Sequence, residues 1–183
     1  MSPRSRRRLR NVVSDATQVT LRAARAEDAG AIAEIWRLGW QDGHLGLVPQ
    51  ELVDVRTETS FRTRASSRIS DTTVATVDGA VVGFVMVVDD EVEQVYVAAA
   101  HRGTGVAKAL IGEAERQVEA NGHGKAWLAV VAGNARARAF YERAGWVDEG
   151  AFDYAAAVED GTIAVPCRRY TKLLYRFAGS ERA

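Results

Sequence analysis

The sequence predicts a single domain of the α/β class, with a mixed sheet and helices on both of its faces. The chain has 183 residues, the size of one domain, and 47% of them are hydrophobic, which suffices for a buried core. Apolar residues alternate with polar ones in some segments and recur every three or four positions in others, so strands and helices follow one another along the chain. Asp-Gly steps at 78–79 and 160–161 mark turns between neighbouring strands.

The two ends are predicted to lie outside this domain. Residues 1–16 carry arginine at positions 4, 6, 7, 8 and 10 and few apolar side chains, so we expect a basic, disordered tail. The domain spans residues 17–176, and residues 177–183 form a short C-terminal tail. The arginines could attract nucleic acid, but no aromatic residues are interleaved with them, so a solvated tail is favoured over a nucleic-acid site.

The domain begins with a strand and a helix. Thr17 to Ala23 alternate in the manner of a half-buried strand. A helix opens at residues 26–28 and continues past Trp36. Gly39 and Gly43 are expected to loosen the end of this helix.

The remaining elements follow from the same periodicities and from the turn residues between them. Short helices are predicted at Pro49–Arg56 and Thr59–Arg68, and strands at Thr72–Asp78, Ala80–Asp89 and Glu91–Val97. A turn of small residues follows, and then a helix at 105–120, a buried strand at 125–131, a helix at 133–145 and strands at 146–157 and 162–174.

Composition excludes several kinds of function. The 24 Lys and Arg residues balance the 24 Asp and Glu residues, so no overall field draws the chain to nucleic acid or to an anionic membrane. Cys167 is the single cysteine, which excludes an internal disulfide and argues against a metal centre; its place after Pro166 in a strand predicts a buried thiol rather than a nucleophile. No apolar run is long enough to span a bilayer or to form a signal peptide, so we expect a cytoplasmic protein with no membrane partner.

Residues 102–107, Arg-Gly-Thr-Gly-Val-Ala, lie between a strand and a helix and predict a phosphate site. Two glycines let the backbone turn its amides toward one point, and the N-terminus of the helix adds partial positive charge. A bare tight turn is the alternative. Two other phosphate loops are disfavoured: a Walker loop because Val106 and Ala107 replace its Lys-Ser/Thr pair, and a dinucleotide fingerprint because Lys108 stands where its third glycine belongs.

The chain resembles the GNAT acetyltransferases in segments that occur in the same order. Arg102-x-x-Gly105-x-Ala107 fits that family's Q/R-x-x-G-x-G/A motif, which binds the pyrophosphate of coenzyme A, and Val95-Tyr96-Val97 lies just upstream. Asn134, followed by Phe140-Tyr141 and Gly145-Trp146, is similar to the family's second cofactor segment. The resemblance implies the GNAT-type acyl-CoA N-acyltransferase fold, with a central, mostly antiparallel sheet of six to seven strands whose fourth and fifth strands are splayed.

The resemblance also implies acetyl-CoA as co-substrate and indicates which residues hold it. The backbone amides of the loop would bind the pyrophosphate: Arg102, Gly103, Thr104, Gly105, Val106 and Ala107. Main-chain groups of Val95 and Val97 would bind the pantetheine arm, and a bulge near Tyr96 would open the gap for the acyl chain. Asn134 would contact the pantetheine, cap the helix that follows, or do both.

Direct transfer to an amine, which the resemblance implies, requires an acid and a base. The residues alone favour an aromatic at position 141 that packs on the sheet beside Phe140, but the resemblance makes Tyr141 the candidate acid that protonates the sulfur of coenzyme A. An alkylamine is mostly protonated at neutral pH, so a base or a water relay is needed. Glu91 and Glu93 have the strand parity of Val95 and Val97, which predicts one shared face, and Glu93 is expected nearer to the reaction centre.

Acceptor-binding residues are expected near both ends of the domain. Trp36, Trp40 and His44 are four positions apart and would share one face of a continuous helix, where His44 competes with the glutamates as base; a core stripe is the alternative. Asp42 is a further candidate on this helix. The last two strands add Asp153, Tyr154, Arg168, Arg169 and Tyr170, of which Tyr170 is the candidate substrate contact.

The sequence leaves the acceptor open among small amines and the amines of peptides or proteins. A non-catalytic acyl-CoA sensor or partner-binding module on the same fold is the alternative function. The resemblance also suggests a homodimer as one option for assembly.

Overall fold

The structure is a computed structural model that describes residues 18–174. The two predicted tails, at residues 1–16 and 177–183, lie outside the described residues. Within 18–174 the strands and helices occur in the predicted order. None of the helices in this range is long and apolar enough to cross a membrane.

The described residues form seven strands and five α-helices. The strands are β1 (Thr20–Ala23), β2 (Thr72–Val77), β3 (Ala80–Val88), β4 (Glu91–Val97), β5 (Lys125–Val131), β6 (Val147–Val158) and β7 (Gly161–Leu173). The helices are α1 (Ala29–His44), α2 (Gln50–Val55), α3 (Glu58–Ser67), α4 (Val106–Ala120) and α5 (Ala135–Arg143).

The seven strands form one sheet in the order β1-β2-β3-β4-β5-β7-β6. Neighbouring strands in this sheet are antiparallel except for β4 and β5, which are parallel. Asp78 and Gly79 have φ of 50° and 81° and form the tight turn between β2 and β3, as the Asp-Gly step predicts. The predicted mixed, mostly antiparallel sheet is thereby confirmed.

Helices cover both faces of the sheet, and each face buries its own hydrophobic cluster. On one side, the α4 face, α4 and α5 pack on the sheet, and Val106, Leu110 and Val118 of α4 are fully buried. On the other side, the α1 face, α1, α2 and α3 bury Trp36 and Phe61. Each such side chain contributes about 1.5–3 kcal/mol of hydrophobic stabilisation.

Helix α1 continues without a break through Gly39 and Gly43 to His44, so the expectation that these glycines loosen its end is wrong. A Cβ atom at Gly39 would overlap the ring of Tyr96, and one at Gly43 would lie 2.8 Å from Nδ2 of Asn134. The two glycines therefore let α1 lie directly against β4 and the start of α5. This close approach offsets the helix propensity lost at each glycine, which is about 1 kcal/mol.

Strand β4 contains a β-bulge at Glu93 and not near Tyr96, where it was expected. The pairing with β3 passes from Gln94 directly to Val92, which leaves Glu93 as the extra residue. The position of a bulge depends on the register with the partner strand, and the letters of β4 alone do not reveal that register.

The bulge reverses the alternation of side chains along β4, which corrects a second expectation. Val95 and Val97 pack with the cluster on the α4 face. Glu91 instead accepts a hydrogen bond from Tyr154, which packs on the α1 face, and the carboxylate of Glu93 contacts the C-terminal end of α3. Both glutamates therefore lie on the opposite face from the two valines.

Strands β4 and β5 separate after a single paired position. Glu91 stands opposite Trp127, and the amide of Trp127 donates to the carbonyl of Asp90 at 3.0 Å. No later residues of the two strands pair, although β5 pairs along its whole length with β7 on its other side. The predicted splay of these strands is confirmed, and it opens the sheet at the C-terminal end of β4.

Candidate active site

A cleft of about 480 Å³ passes through the sheet where β4 and β5 separate. On the α4 face it is lined by the glycine loop that follows β4 and by α5, and on the α1 face by α1, α3, β6 and β7. Leu128 and Val130 of β5 form part of its wall. A ligand bound at the glycine loop can therefore extend through the sheet to the opposite face.

The glycine loop presents its backbone amides to this cleft. Gly103 and Gly105 have φ of 77° and 92°, and a Cβ atom at either position would meet nothing within 4 Å. No backbone carbonyl among residues 18–174 accepts from the amides of residues 103–108; the first such bond of α4 runs from Ala109 to Gly105. Several free amides at a helix N-terminus fit a phosphate group.

The side chain of Arg102 holds the loop against α1. Its Nη2 donates to Oδ2 of Asp42 at 2.7 Å, and Asp42 is half exposed on α1. Asp42 thus contacts the donor loop, whereas the sequence suggested a role for it at the acceptor side. This ion pair fixes the distance between the loop and the helix that crosses the cleft.

Three basic side chains near the loop were not predicted from the sequence. Lys108 of α4 and Arg136 and Arg143 of α5 line the cleft. The free amides of the loop fit the pyrophosphate of coenzyme A, and the positive charges of these three side chains fit its phosphates. On an amphipathic helix a basic residue at the rim of a site has the same pattern as one on a solvated face, so the sequence carries no separate signal for them.

The main chain of Val95 and Val97 points into the gap between β4 and β5. The amide of Ala98 donates to the carbonyl of Val82 at 2.8 Å, and hydrogen-bonded pairs alternate along an antiparallel ladder. Tyr96 therefore bonds toward β3, whereas Val95 and Val97 direct their N–H and C=O groups away from it. Because β5 has already separated here, these groups are available to an extended ligand, as the resemblance implies.

Asn134 caps helix α5 and also lines the cleft. Its Oδ1 accepts from the amide of Ala137 at 3.1 Å, which confirms the capping role. Its amide nitrogen faces Gly43 of α1. A contact between Asn134 and the pantetheine stays a prediction.

Tyr141 of α5 lines the cleft, and its ring packs edge-on against Phe140 and Trp146. Burial raises the pKa of its phenol above the ordinary value of 10.0. The hydroxyl makes no hydrogen bond to another of the described residues. Tyr141 therefore keeps its proton at neutral pH, and its ring takes part in the aromatic packing; its role as an acid stays a prediction.

Glu93 lines the cleft, but its carboxylate is already paired. Nη1 of Arg68 lies 3.0 Å from its Oε1, and Nη2 of the same guanidinium binds Oε2. Arg68 also donates to Asp71 at 2.8 Å. Both oxygens of the Glu93 carboxylate are therefore occupied by Arg68 and are not free to contact the amine of a substrate.

Glu91 lies one step behind the cleft, in contact with Tyr154. The phenol of Tyr154 lines the cleft and donates to Oε1 of Glu91 at 2.9 Å. Burial raises the pKa of Glu91, and the hydrogen bond from Tyr154 opposes that rise. Glu91 is thus a partly buried carboxylate with a raised pKa, and Tyr154 connects it to the cleft.

His44 lies at the end of α1 in the cleft wall and is neutral at pH 7. Burial lowers the pKa of its imidazole from 6.5 to about 4, and Nδ1 lies 3.0 Å from the carbonyl of Trp40. The ring stacks on that of Trp40 with centroids 5.0 Å apart. With such a low pKa, His44 binds a proton too weakly to compete with Glu91 as base at neutral pH.

Trp36 and Trp40 serve both the core and the cleft. Trp36 is fully buried between Phe61 and Phe84, and Trp40 is 5% exposed; both line the cleft on the α1 face. The spacing of four does place them with His44 on one face of a continuous helix, as predicted.

Tyr170 does not line the cleft, so the structure does not bring this predicted substrate contact to the site. It is fully buried on the α4 face. Its hydroxyl donates to Glu142 at 2.9 Å and accepts from Nε of Arg138 at 3.2 Å. These bonds join β7 to α5 and satisfy the phenol inside the core.

Of the other polar candidates on β6 and β7, only Tyr154 reaches the cleft. Arg168 is paired with Asp148, Arg169 stacks over the ring of Trp127, and Asp153 is exposed. Cys167 borders the cleft as a buried thiol, and burial raises its pKa to about 11, so it is not an activated nucleophile.

The described residues contain no group of three or more His, Cys, Asp or Glu side chains placed to hold a metal ion.

A loop of free amides thus lies at one end of a cleft that passes through the split sheet of an α/β protein. The sequence profile of the acetyltransferase (GNAT) family matches residues 31–146, more than half of the chain. The chain therefore belongs to the GNAT acetyltransferase family, a family of acyltransferases.

Solved structures share this fold. PaiA N-acetyltransferase from Thermoplasma acidophilum in complex with coenzyme A is 17% identical with a TM-score of 0.67, over 85% of this chain and 99% of that one. YncA from Salmonella typhimurium with its cofactor acetyl-CoA is 18% identical with a TM-score of 0.65, over 91% and 99%. A phosphinothricin acetyltransferase from Sinorhizobium meliloti in complex with acetyl-CoA is 23% identical with a TM-score of 0.61, over 85% and 88%. Among curated protein sequences none matches this chain.

Proposed function

We propose that the protein is an acetyl-CoA-dependent N-acetyltransferase that acetylates a primary amine by direct attack in a ternary complex. The observation that carries the proposal is the continuous cleft. It joins the free amides of the glycine loop on the α4 face to a base and a phenol on the α1 face.

The residues on the donor side bind and orient. Acetyl-CoA supplies the acetyl group as an activated thioester. The amides of residues 103–108 and the basic side chains beside them would hold its phosphates, and the main-chain groups of Val95 and Val97 would align its extended arm along β4. Leu128 and Val130 of β5 keep the passage apolar and exclude water from it.

The base that we propose is Glu91, acting through Tyr154. Glu93 is held by Arg68, and His44 has a pKa of about 4, whereas burial raises the pKa of Glu91. Tyr154 would take the proton of the amine at its oxygen while passing its own proton to Oε1 of Glu91. The pKa of Tyr154 is raised by burial and by Glu91, so a concerted transfer is required and no free phenolate forms.

Tyr141 is the proposed acid. Its phenol is protonated at neutral pH and lines the cleft on the α4 face, next to the opening between the strands. It would give its proton to the departing sulfur as the new C–N bond replaces the C–S bond. Cys167 stays a thiol with its pKa near 11, which supports direct transfer over a covalent acyl-enzyme.

Isothermal titration with acetyl-CoA tests the donor site on three proteins. Replacing Gly105 with Glu puts a bulky negative side chain in the loop, at a φ of 92° that favours glycine. Gly112→Glu is the matched control, because Gly112 is exposed on α4, the helix that follows the loop, and an added Cβ there meets nothing within 4 Å. We expect binding by the parent and by Gly112→Glu, and none by a folded Gly105→Glu.

A thiol-release assay with a panel of amines then separates the functions. Acetyl-CoA-dependent release that requires an amine supports the transferase. Tight binding without release for any amine favours the acyl-CoA sensor instead. Absence of binding by the parent protein overturns the donor site and, with it, the enzyme.

A further inference from the structure

Two arginines line the cleft on the α1 face without an acidic partner. Arg56 follows the end of α2, and its Nη2 donates to the carbonyl of Ala157 at 2.6 Å. Arg64 lies on α3, with its guanidinium carbon 4.3 Å from the centre of the Trp36 ring. Neither forms an ion pair with another described residue.

The carboxylate whose charge acts on Arg64 is engaged elsewhere, because Glu93 is bound by Arg68. Burial, together with the charge of Arg56, lowers the pKa of Arg64 to about 10, and the attraction of Glu93 does not outweigh the two. Arg56 and Arg64 are both half buried, and the repulsion between them is not compensated by a nearby carboxylate. Together they form a positively charged pocket that lacks a counter-charge.

Two buried N–H donors also lie at the same place. The indole Nε1 of Trp36 and the Nε of Arg56 are both buried and make no hydrogen bond. Trp36 is 0% exposed, and both residues line the cleft. The phenol of Tyr96 lies beside the indole of Trp36 and can act as its acceptor. Buried N–H groups are almost always paired in folded proteins, so the Nε of Arg56 indicates an acceptor that belongs to a ligand.

We propose that Arg56 and Arg64 bind an oxyanion of the acceptor, so that the substrate is a small amine carrying a carboxylate or a phosphorus oxyanion. The inference rests on the proposed function and specifies its acceptor. The phosphates of coenzyme A do not account for these arginines, because the loop that suits them opens on the other face of the sheet. Guanidinium groups bind such oxyanions through paired N–H donors.

The same arrangement disfavours other amines. A polyamine or an aminoglycoside would bring several positive charges next to two uncompensated arginines, which costs binding energy at short range. An amino acid or an aminoalkylphosphonate instead supplies the missing negative charge. Its amine can then face Tyr154, which lines the same cleft.

Matched probes test the anion requirement on the full chain. The probes are the common L-amino acids, 1-aminoalkylphosphonates, the corresponding amino acid amides and spermine, each assayed by thiol release with saturating acetyl-CoA. We expect at least one amino acid or aminophosphonate to be acetylated, and its amide to have a kcat/KM about 10- to 100-fold lower, the value of one charged hydrogen bond. Which of the two acids reacts identifies the oxyanion.

The variants Arg64→Gln and Arg56→Gln, with Arg62→Gln as control, assign the effect to the pocket. Arg62 lies on the same helix but is 71% exposed and pairs with Glu58 outside the cleft. Both pocket variants should lower kcat/KM for the acid about 10- to 100-fold and leave the slow rate of the amide within about two-fold, whereas Arg62→Gln changes neither. Acetyl-CoA titration of each variant shows that it is folded and that its donor site is intact.

Several results would overturn the inference while acetyl-CoA still binds. The first is that the amides or spermine react with a kcat/KM equal to that of the acids. The second is that no probe reacts at all. The third is that Arg64→Gln and Arg56→Gln both behave like Arg62→Gln. If the parent does not bind acetyl-CoA, the proposed function fails first and the inference falls with it.

Discussion

At the scale of single residues, burial decides the protonation states around the cleft. It raises the pKa of the phenols of Tyr141 and Tyr154 and of the thiol of Cys167, and it lowers the pKa of His44. At neutral pH these groups are all uncharged. Moving a proton between two of these neutral groups would separate charge in a medium of low dielectric constant, which favours a carboxylate, Glu91, as the group that takes up the proton in the proposed relay.

Replacing Tyr154 with Phe should move the acid limb of the rate profile to higher pH. Tyr154 donates to the carboxylate of Glu91 and so lowers its pKa against the effect of burial. Without that bond the pKa of Glu91 rises. Because a base acts only when deprotonated, activity would be lost at a higher pH than in the parent, and kcat would fall about 100-fold as the relay is broken. The measurement is kcat against pH with an acetylated amine.

Glu91→Gln is the companion variant, since glutamine keeps the shape and cannot titrate. Its acid limb should disappear along with most of the rate. If the acid limb of the profile of kcat against pH keeps its position in both Tyr154→Phe and Glu91→Gln, the base is a group other than Glu91.

At the scale of elements, the glycines of α1 set the width of the cleft. Gly39 lies against Tyr96 of β4 and Gly43 against Asn134, so α1 crosses the opening between the halves of the sheet. The ring of Tyr96 is held between Trp36 and Phe84 and has no room to move aside. The helix and the strand are therefore matched to each other at this point.

Gly39→Ala should destabilise the protein, whereas Gly30→Ala should not. An added methyl group at Gly39 meets the Tyr96 ring, and overpacking of this kind costs about 1–3 kcal/mol. Gly30 is exposed near the start of the same helix with nothing within 4 Å, so alanine there gains helix propensity of about 0.5–1 kcal/mol. Urea unfolding gives both free energies, and equal effects at the two positions would contradict the close approach.

The elements themselves were predictable because their signals are local. Alternation and helical periodicity located the seven strands and five helices within a few residues, and the glycine loop was recognised from its place before α4. The bulge at Glu93 and the role of Gly39 were not predictable, since each depends on a partner distant in sequence. Glycine was interpreted as a helix breaker where it allows a close contact.

At the scale of the whole molecule, the site is where two halves of a sheet are joined weakly. Strands β1–β4 and β5–β7 meet through Glu91 and Trp127, supported by a hydrogen bond of 3.1 Å from the indole of Trp127 to Asp90. The donor half of the site could be predicted because its motif is contiguous. The pocket of Arg56 and Arg64 could not, because in sequence these arginines look the same as the exposed Arg62.

Coenzyme A should stabilise the protein by linking these halves. A ligand at 100 times its dissociation constant adds about 2.7 kcal/mol to the free energy of unfolding, and for a chain of this size each kcal/mol raises Tm by about 2–4 °C. We therefore expect a rise of about 5–10 °C for the parent and none for Gly105→Glu. Hydrogen exchange locates the cause: the amides of Val95 and Val97 point into the gap and should become protected along with those of residues 103–108. Protection confined to the loop would mean that the ligand occupies the α4 face alone, and the cleft through the sheet would then lose its role in transfer.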